Sequence, residues 1–191
     1  MHSSKREDIL SAATKLFSQY GYNIVGVDLI IKESNVAKMT FYRHFPSKEA
    51  LIESVLVRRN ENLQASIKND INKLTDPIIK LKTIFDWYES WIFSDDFHGC
   101  MFIKASEEFR DPTSTSRKIA QAHKDWFIGF IESILKEIGL NNANQIAIHI
   151  MILFEGLTVR SNMNASPSKD EFKFAWRSIR NMINASLTVE A

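Results

Sequence analysis

A chain of 191 residues with 45% hydrophobic side chains can bury a real core without staples, and with only 6 Gly and 4 Pro it is too poor in turn formers for a fold of many hairpins. A net charge of +1 excludes any global polyanion-binding signal, and a single cysteine, Cys100, excludes an intramolecular disulfide and fits a reducing, cytoplasmic setting. Residues 1–60 nevertheless hold nine Lys/Arg against six Asp/Glu, a mild cationic bias compatible with nucleic acid at that end.

The N-terminus mixes Lys5, Arg6, Glu7 and Asp8 with spaced apolar residues and does not read as a signal peptide. Ile9, Ala12, Ala13, Leu16, Phe17 and Tyr20 recur at helical spacing and predict a first helix, with Gly21 placed to end it. Val27, Leu29, Ile30 and Ile31 predict a second short helix with Asp28 in its first turn, and Ser34-Asn35 a turn. A third helix is expected from about Ala37 to His44, ended by Pro46, with Ser47 as the next cap. The fourth should run from Lys48 to about Leu74. At about 26 residues it would be about 39 Å long, enough to join two modules.

Asp76-Pro77 opens a fifth helix rich in aromatics. Asp95–Cys100 reads as a loop and Met101–Phe109 as a short helix broken by Asp111-Pro112. Thr113–Ser116 reads as a linker before a helix that stops at Gly139. Two more helices, about 144–163 and 168–187, flank Ser166-Pro167-Ser168. The run Ile146–Phe154, interrupted by His149, is too short to span a membrane, so no membrane partner is expected. The helix from Asn144 is apolar nearly all round and must be covered on two sides. Ile146, Ile150, Leu153 and Leu157, with Phe172, Trp176, Ile179 and Ile183 of the last helix, are therefore candidates for a four-helix seam in a homodimer. The alternative is that both helices close a monomeric core.

The first three helices form a candidate helix-turn-helix, a motif that puts one helix end into the DNA major groove. The N-terminal end of the third helix is small and polar. Ala37, Lys38, Met39 and Thr40 can face base edges or phosphates, and Tyr42 and His44 have polar tips suited to backbone oxygens. Lys48 begins the fourth helix, where its charge and the helix end both attract phosphate.

Ile9-Leu10, Ala12-Ala13, Leu16-Phe17, Gly21-Tyr22, Val27, Ile30, Val36, Lys38, Thr40, Tyr42, His44-Phe45 and Ser47-Lys48-Glu49 together resemble the N-terminal domain of TetR-family transcriptional regulators over about the first 55 residues. The resemblance implies an all-α fold. Its parts would be a three-helix DNA-binding domain (1–47), a connecting helix (48–74) and a helical effector-binding and dimerisation domain (75–191). It implies a homodimer on a near-palindromic double-stranded operator, most simply a repressor released by a small-molecule effector, with no cofactor or metal. Four departures from the family pattern stand out. Val25-Gly26 replace a hydroxyl pair, Asn35 a turn glycine, Ile31 a small alanine and Met39 a glycine of the recognition helix, so the operator of a relative does not transfer.

The effector set is less defined: Trp87, Trp91, Phe102, Phe127 and Phe154 as apolar walls, with Glu107 and His149 as polar anchors. Aromatics at helical spacing are equally ordinary core. His98, Cys100, His123 and His149 show no spacing signature of a nucleophile pair or a metal site, so no catalytic residue and no enzyme is expected. The rival reading is a helical small-molecule or redox sensor, acting through Cys100, whose DNA-reading domain has lost sequence specificity.

Overall fold

The computed structural model describes residues 4–164 and 168–188. The expected separator Ser166-Pro167 lies outside the described residues. Among the described residues every regular element is an α-helix: α1 Lys5–Tyr20, α2 Val27–Ser34, α3 Lys38–His44, α4 Lys48–Ile71, α5 Pro77–Ile92, α6 Met101–Glu108, α7 Thr115–Glu137, α8 Ala143–Met163 and α9 Lys169–Thr188.

Local chemistry sets most helix ends. Ser4 Oγ accepts from Glu7 N at 3.3 Å, Ser47 Oγ from Ala50 N at 3.1 Å, and Asp76 Oδ1 from Ile78 N at 2.7 Å with Pro77 in the first turn. Gly21 (φ 85°) ends α1, and Asn35 (φ 50°, ψ 46°) ends α2 in the left-handed region that asparagine tolerates. Two ends differ from expectation. α4 stops at Ile71 because Leu74 N bonds Ile71 O at 2.9 Å, folding the expected last turn back. α7 starts at Thr115, inside the expected linker, because Ser114 O accepts from Lys118 N at 3.0 Å.

The chain divides into two compact units. One holds the chain up to Leu63 together with Cys100–His123; the other holds Gln64–Gly99 and the chain from Lys124 on. This differs from the boundaries expected after residues 47 and 74. α6 and the start of α7 join the N-terminal unit because Met101, Phe102, Ala105 and Ala120 are buried in its core. That core also contains Ile9, Leu10, Ala13, Phe17, Tyr22, Ile30, Phe41, Phe45, Leu51, Val55 and Leu56. Phe41 and Phe45 are thus packing residues.

The second unit packs α5, α8 and α9 around aromatic side chains. Tyr88 stacks on Phe154 with centroids 4.4 Å apart, and its hydroxyl bonds Phe154 O and the Thr158 hydroxyl. Phe85 touches Phe154, Phe172 and Trp176. The expected dimer seam is corrected here. Ile146, Ile150, Leu157, Phe172, Ile179 and Ile183 are buried in this unit's own core, and Leu153 and Trp176 pack half-buried against it. One apolar stripe can satisfy only one cover, and the chain's own helices take it. The apolar side chains these two helices leave outside are Ile148, Ile152, Val159 and Met163 on α8 and Phe174 and Leu187 on α9. As a 21-residue helix, α8 is long and apolar enough to cross a membrane by length and composition, which the nine-residue run did not reveal. Some 44% of that window is buried inside the protein.

Candidate nucleic-acid interface

α3 is placed by its apolar residues. Phe41 is buried in the unit core, Phe45 follows it one turn on, and Phe45 N bonds Phe41 O at 2.9 Å to close the helix. The opposite side is free. Ala37 is the N-cap, without a side-chain cap bond, and it is exposed together with Lys38 and Met39, the last at 83%. Thr40 and His44 are half-buried, and Tyr42 is 44% exposed with its ring edge against Phe41. Lys38 Nζ lies 3.3 Å from Asp28 Oδ1, which brings the starts of α2 and α3 together. Both partners are well exposed, so the pair is weak and a phosphate can displace it.

The departures from the family pattern now have positions. Val25 is buried in the core, and Gly26 is the N-cap of α2 with no side-chain cap bond, so its exposed backbone stands where a hydroxyl was expected. Ile31 is half-buried against the core. Met39 projects freely, with no packing role.

Lys48 is half-buried and its ammonium donates to Asn23 O at 3.2 Å, tying the start of α4 to the α1–α2 turn. That turn is held from the other side by a residue the sequence reading missed. Glu108, the last residue of α6, accepts from Tyr22 N at 2.9 and 3.1 Å and from Asn23 N at 2.6 Å. Tyr22 is buried, tilted on Phe17 and Phe109, and its hydroxyl donates to Met101 O at 2.9 Å. Burial pushes its phenol well above the usual tyrosine range. A signal for Glu108 was available: it continues the stripe of Met101 and Ala105, whereas Glu107 does not.

The seven proposed effector residues fall in both units. Trp87 and Trp91 are half-buried neighbours on α5, and Phe127 and Phe154 lie in the core of the second unit. His149 faces solvent on α8, because it shares the outer side with Ile148 and Ile152. Phe102 and Glu107 belong to the other unit. Phe102 stacks on His123 at 3.8 Å, whose Nδ1 pairs with Asn60 Oδ1 at 2.8 Å, while Glu107 is exposed. Cys100 is the half-buried N-cap of α6 and makes no side-chain cap bond.

Residues 9–55, which span this helix-turn-helix, match the bacterial regulatory proteins of the tetR family. This N-terminal domain belongs to the TetR family. It is 30% identical to the HTH-type transcriptional regulator YuxN of Bacillus subtilis over 156 residues, 81% of this chain and 52% of that protein. It is 40% identical to the HTH-type transcriptional regulator LmrA of the same organism over 77 residues, 40% of this chain and 41% of that protein. The matched stretches thus span about half the length of these relatives. The fold is that of the TetR-family regulator SCO4454 of Streptomyces coelicolor, with a TM-score of 0.89, 23% identity and 95% of each chain covered. The relatives are regulators, and no enzymatic family is indicated. α3 lies within the matched residues, and Lys48 opens the helix that follows it.

Proposed function

We propose that the protein is a homodimeric, sequence-specific DNA-binding transcriptional regulator, a cytoplasmic repressor released by a small-molecule effector. One observation carries the reading: the tetR-family match falls on a helix-turn-helix whose third helix is anchored by Phe41 and leaves Ala37, Lys38 and Met39 uncovered. Thr40, Tyr42, His44 and Lys48 supply polar and cationic groups beside it. Two such heads on one face of DNA read half-sites about 34–36 Å apart on a near-palindromic operator.

The exposed apolar stripe of α8, with Phe174 of α9, is the surface through which a second copy pairs. TetR regulators are typically dimers with small-molecule effectors. The half-buried Trp87 and Trp91 are the aromatic surface we assign to the effector. An effector acts only if it binds one arrangement of the reading heads better than another.

Selection of bound DNA from a random pool, followed by anisotropy titration of the winner at several salt concentrations, tests this reading. An enriched inverted repeat bound by a dimer about 10³-fold more tightly than unrelated DNA is expected. Weak, salt-sensitive binding with no enriched sequence would refute it.

A further inference from the structure

We propose that Glu108 is a positioning residue for the phosphate contact of Lys48, acting through the backbone of Asn23; the inference rests on the DNA-binding reading above. Asn23 is gripped at both of its backbone polar groups. Its N–H donates to Glu108 Oε2 at 2.6 Å and its C=O accepts from Lys48 Nζ at 3.2 Å. The neighbouring Tyr22 N–H donates to the same carboxylate at 2.9 Å. One carboxylate on α6 therefore fixes the peptide group on the N-terminal side of Asn23 Cα, and the next peptide group, joined to it through that Cα, holds the ammonium.

The surroundings are built for that carboxylate. A Glu in the last turn of a helix meets the negative end of the helix dipole, an unfavourable place unless donors compensate. Here two successive backbone N–H groups do so, a concave donor pair of the kind that holds anions. Gly21 makes room for it. A Cβ at Gly21 would lie 2.7 Å from Glu108 Oε1, and its φ of +85° suits no other residue. α6 is fastened to the same corner by Lys104 Nζ to Ser18 O at 2.6 Å and Tyr22 OH to Met101 O at 2.9 Å, so Glu108 is held in place. An ammonium has three donors. With one spent on Asn23 O, Lys48 keeps two for a phosphate, in a direction fixed by the clamp.

The test uses the full chain and the isosteric Glu108→Gln, whose amide has one acceptor oxygen for the N–H groups. Without DNA, amide exchange at Tyr22 and Asn23 should quicken about tenfold or more, as expected for one lost charge-assisted hydrogen bond. Exchange at Leu51–Leu56 should stay as in wild type. With the selected operator, the slope of log affinity against log salt should shallow by about 0.9, as for one lost phosphate contact, matching Lys48→Ala. In the Lys48→Ala background, Glu108→Gln should change the slope no further. An unchanged slope in E108Q would overturn the proposal, as would an equal affinity loss with and without Lys48, the mark of a merely structural role. If wild type binds no DNA at any salt concentration, the DNA reading falls and the phosphate role with it. Exchange at Tyr22 and Asn23 then still decides, separately, whether the clamp exists.

Discussion

Replacing Gly21 with alanine should destabilise the N-terminal unit by about 3–5 kcal/mol. The backbone at Gly21, φ 85° and ψ 175°, lies in a region essentially reserved for glycine, so any side chain there costs about 1–3 kcal/mol. The new Cβ also lands 2.7 Å from Glu108 Oε1, well inside the 3.4 Å at which ordinary contact begins. The carboxylate must retreat from Tyr22 N and Asn23 N, which forfeits about 1.5–3 kcal/mol of charge-assisted hydrogen bonding. All four tryptophans, Trp87, Trp91, Trp126 and Trp176, lie in the other unit, so indole fluorescence does not report the damaged one. Amide exchange at Ile9, Leu10 and Phe17 does, and their protection should fall by at least about two orders of magnitude. In a Glu108→Ala background the clash is absent, so the same substitution should cost only the backbone part. A loss below about 1 kcal/mol, or an equal loss in both backgrounds, would refute the reasoning.

Tyr22→Phe removes the hydroxyl bond to Met101 O and should cost about 1 kcal/mol at neutral pH. Because burial raises the folded phenol pKa above its unfolded value near 10, the wild-type contribution is complete below pH ~10 and is lost as pH rises beyond it. Urea midpoints measured between neutral and strongly alkaline pH should therefore decline less steeply for the variant; an identical decline would show that Tyr22 does not titrate with unfolding. Ser47→Ala removes the cap bond to Ala50 N and should cost about 1 kcal/mol by denaturant melts, whereas no change would mean that α4 is capped otherwise. Ile152→Arg, at a side chain 58% exposed, should turn the proposed dimer into monomers in sedimentation, with the melting temperature losing only the concentration-dependent part that pairing adds. Ile150→Ala, fully buried on the same helix, should cost about 2–5 kcal/mol whatever the oligomeric state. A dimer that survives Ile152→Arg would remove the outer stripe of α8 from the interface.

The candidate DNA-reading surface was legible because it is built locally. Phe41 and Phe45 recur at helical spacing, Asn35 and Gly21 terminate the helices before them, and the polar residues between are left outside by geometry alone. The effector and dimer residues were not legible in this way. Ile146, Ile150 and Phe172 have the same spacing whether they face a partner or their own core, and periodicity cannot say which. Glu107 and Glu108 are neighbours about 100° apart on a helix; the stripe of Met101 and Ala105 marks Glu108 as the inward one, but only the packing of α6 decides that it meets the Tyr22-Asn23 backbone.

By itself, the sequence determined nine helical segments among the described residues, most of their caps and the class of surface presented by α3. These depend on side-chain volume, backbone preference and hydrogen bonds within a few residues. The tertiary structure alone decided that α6 joins the N-terminal unit, that the α8 and α9 stripes turn inward, and that Glu108 reaches the turn before α2. Those outcomes rest on contacts between segments some 80 residues apart, such as Glu108 with Tyr22, and no local rule of spacing or propensity carries information across that distance.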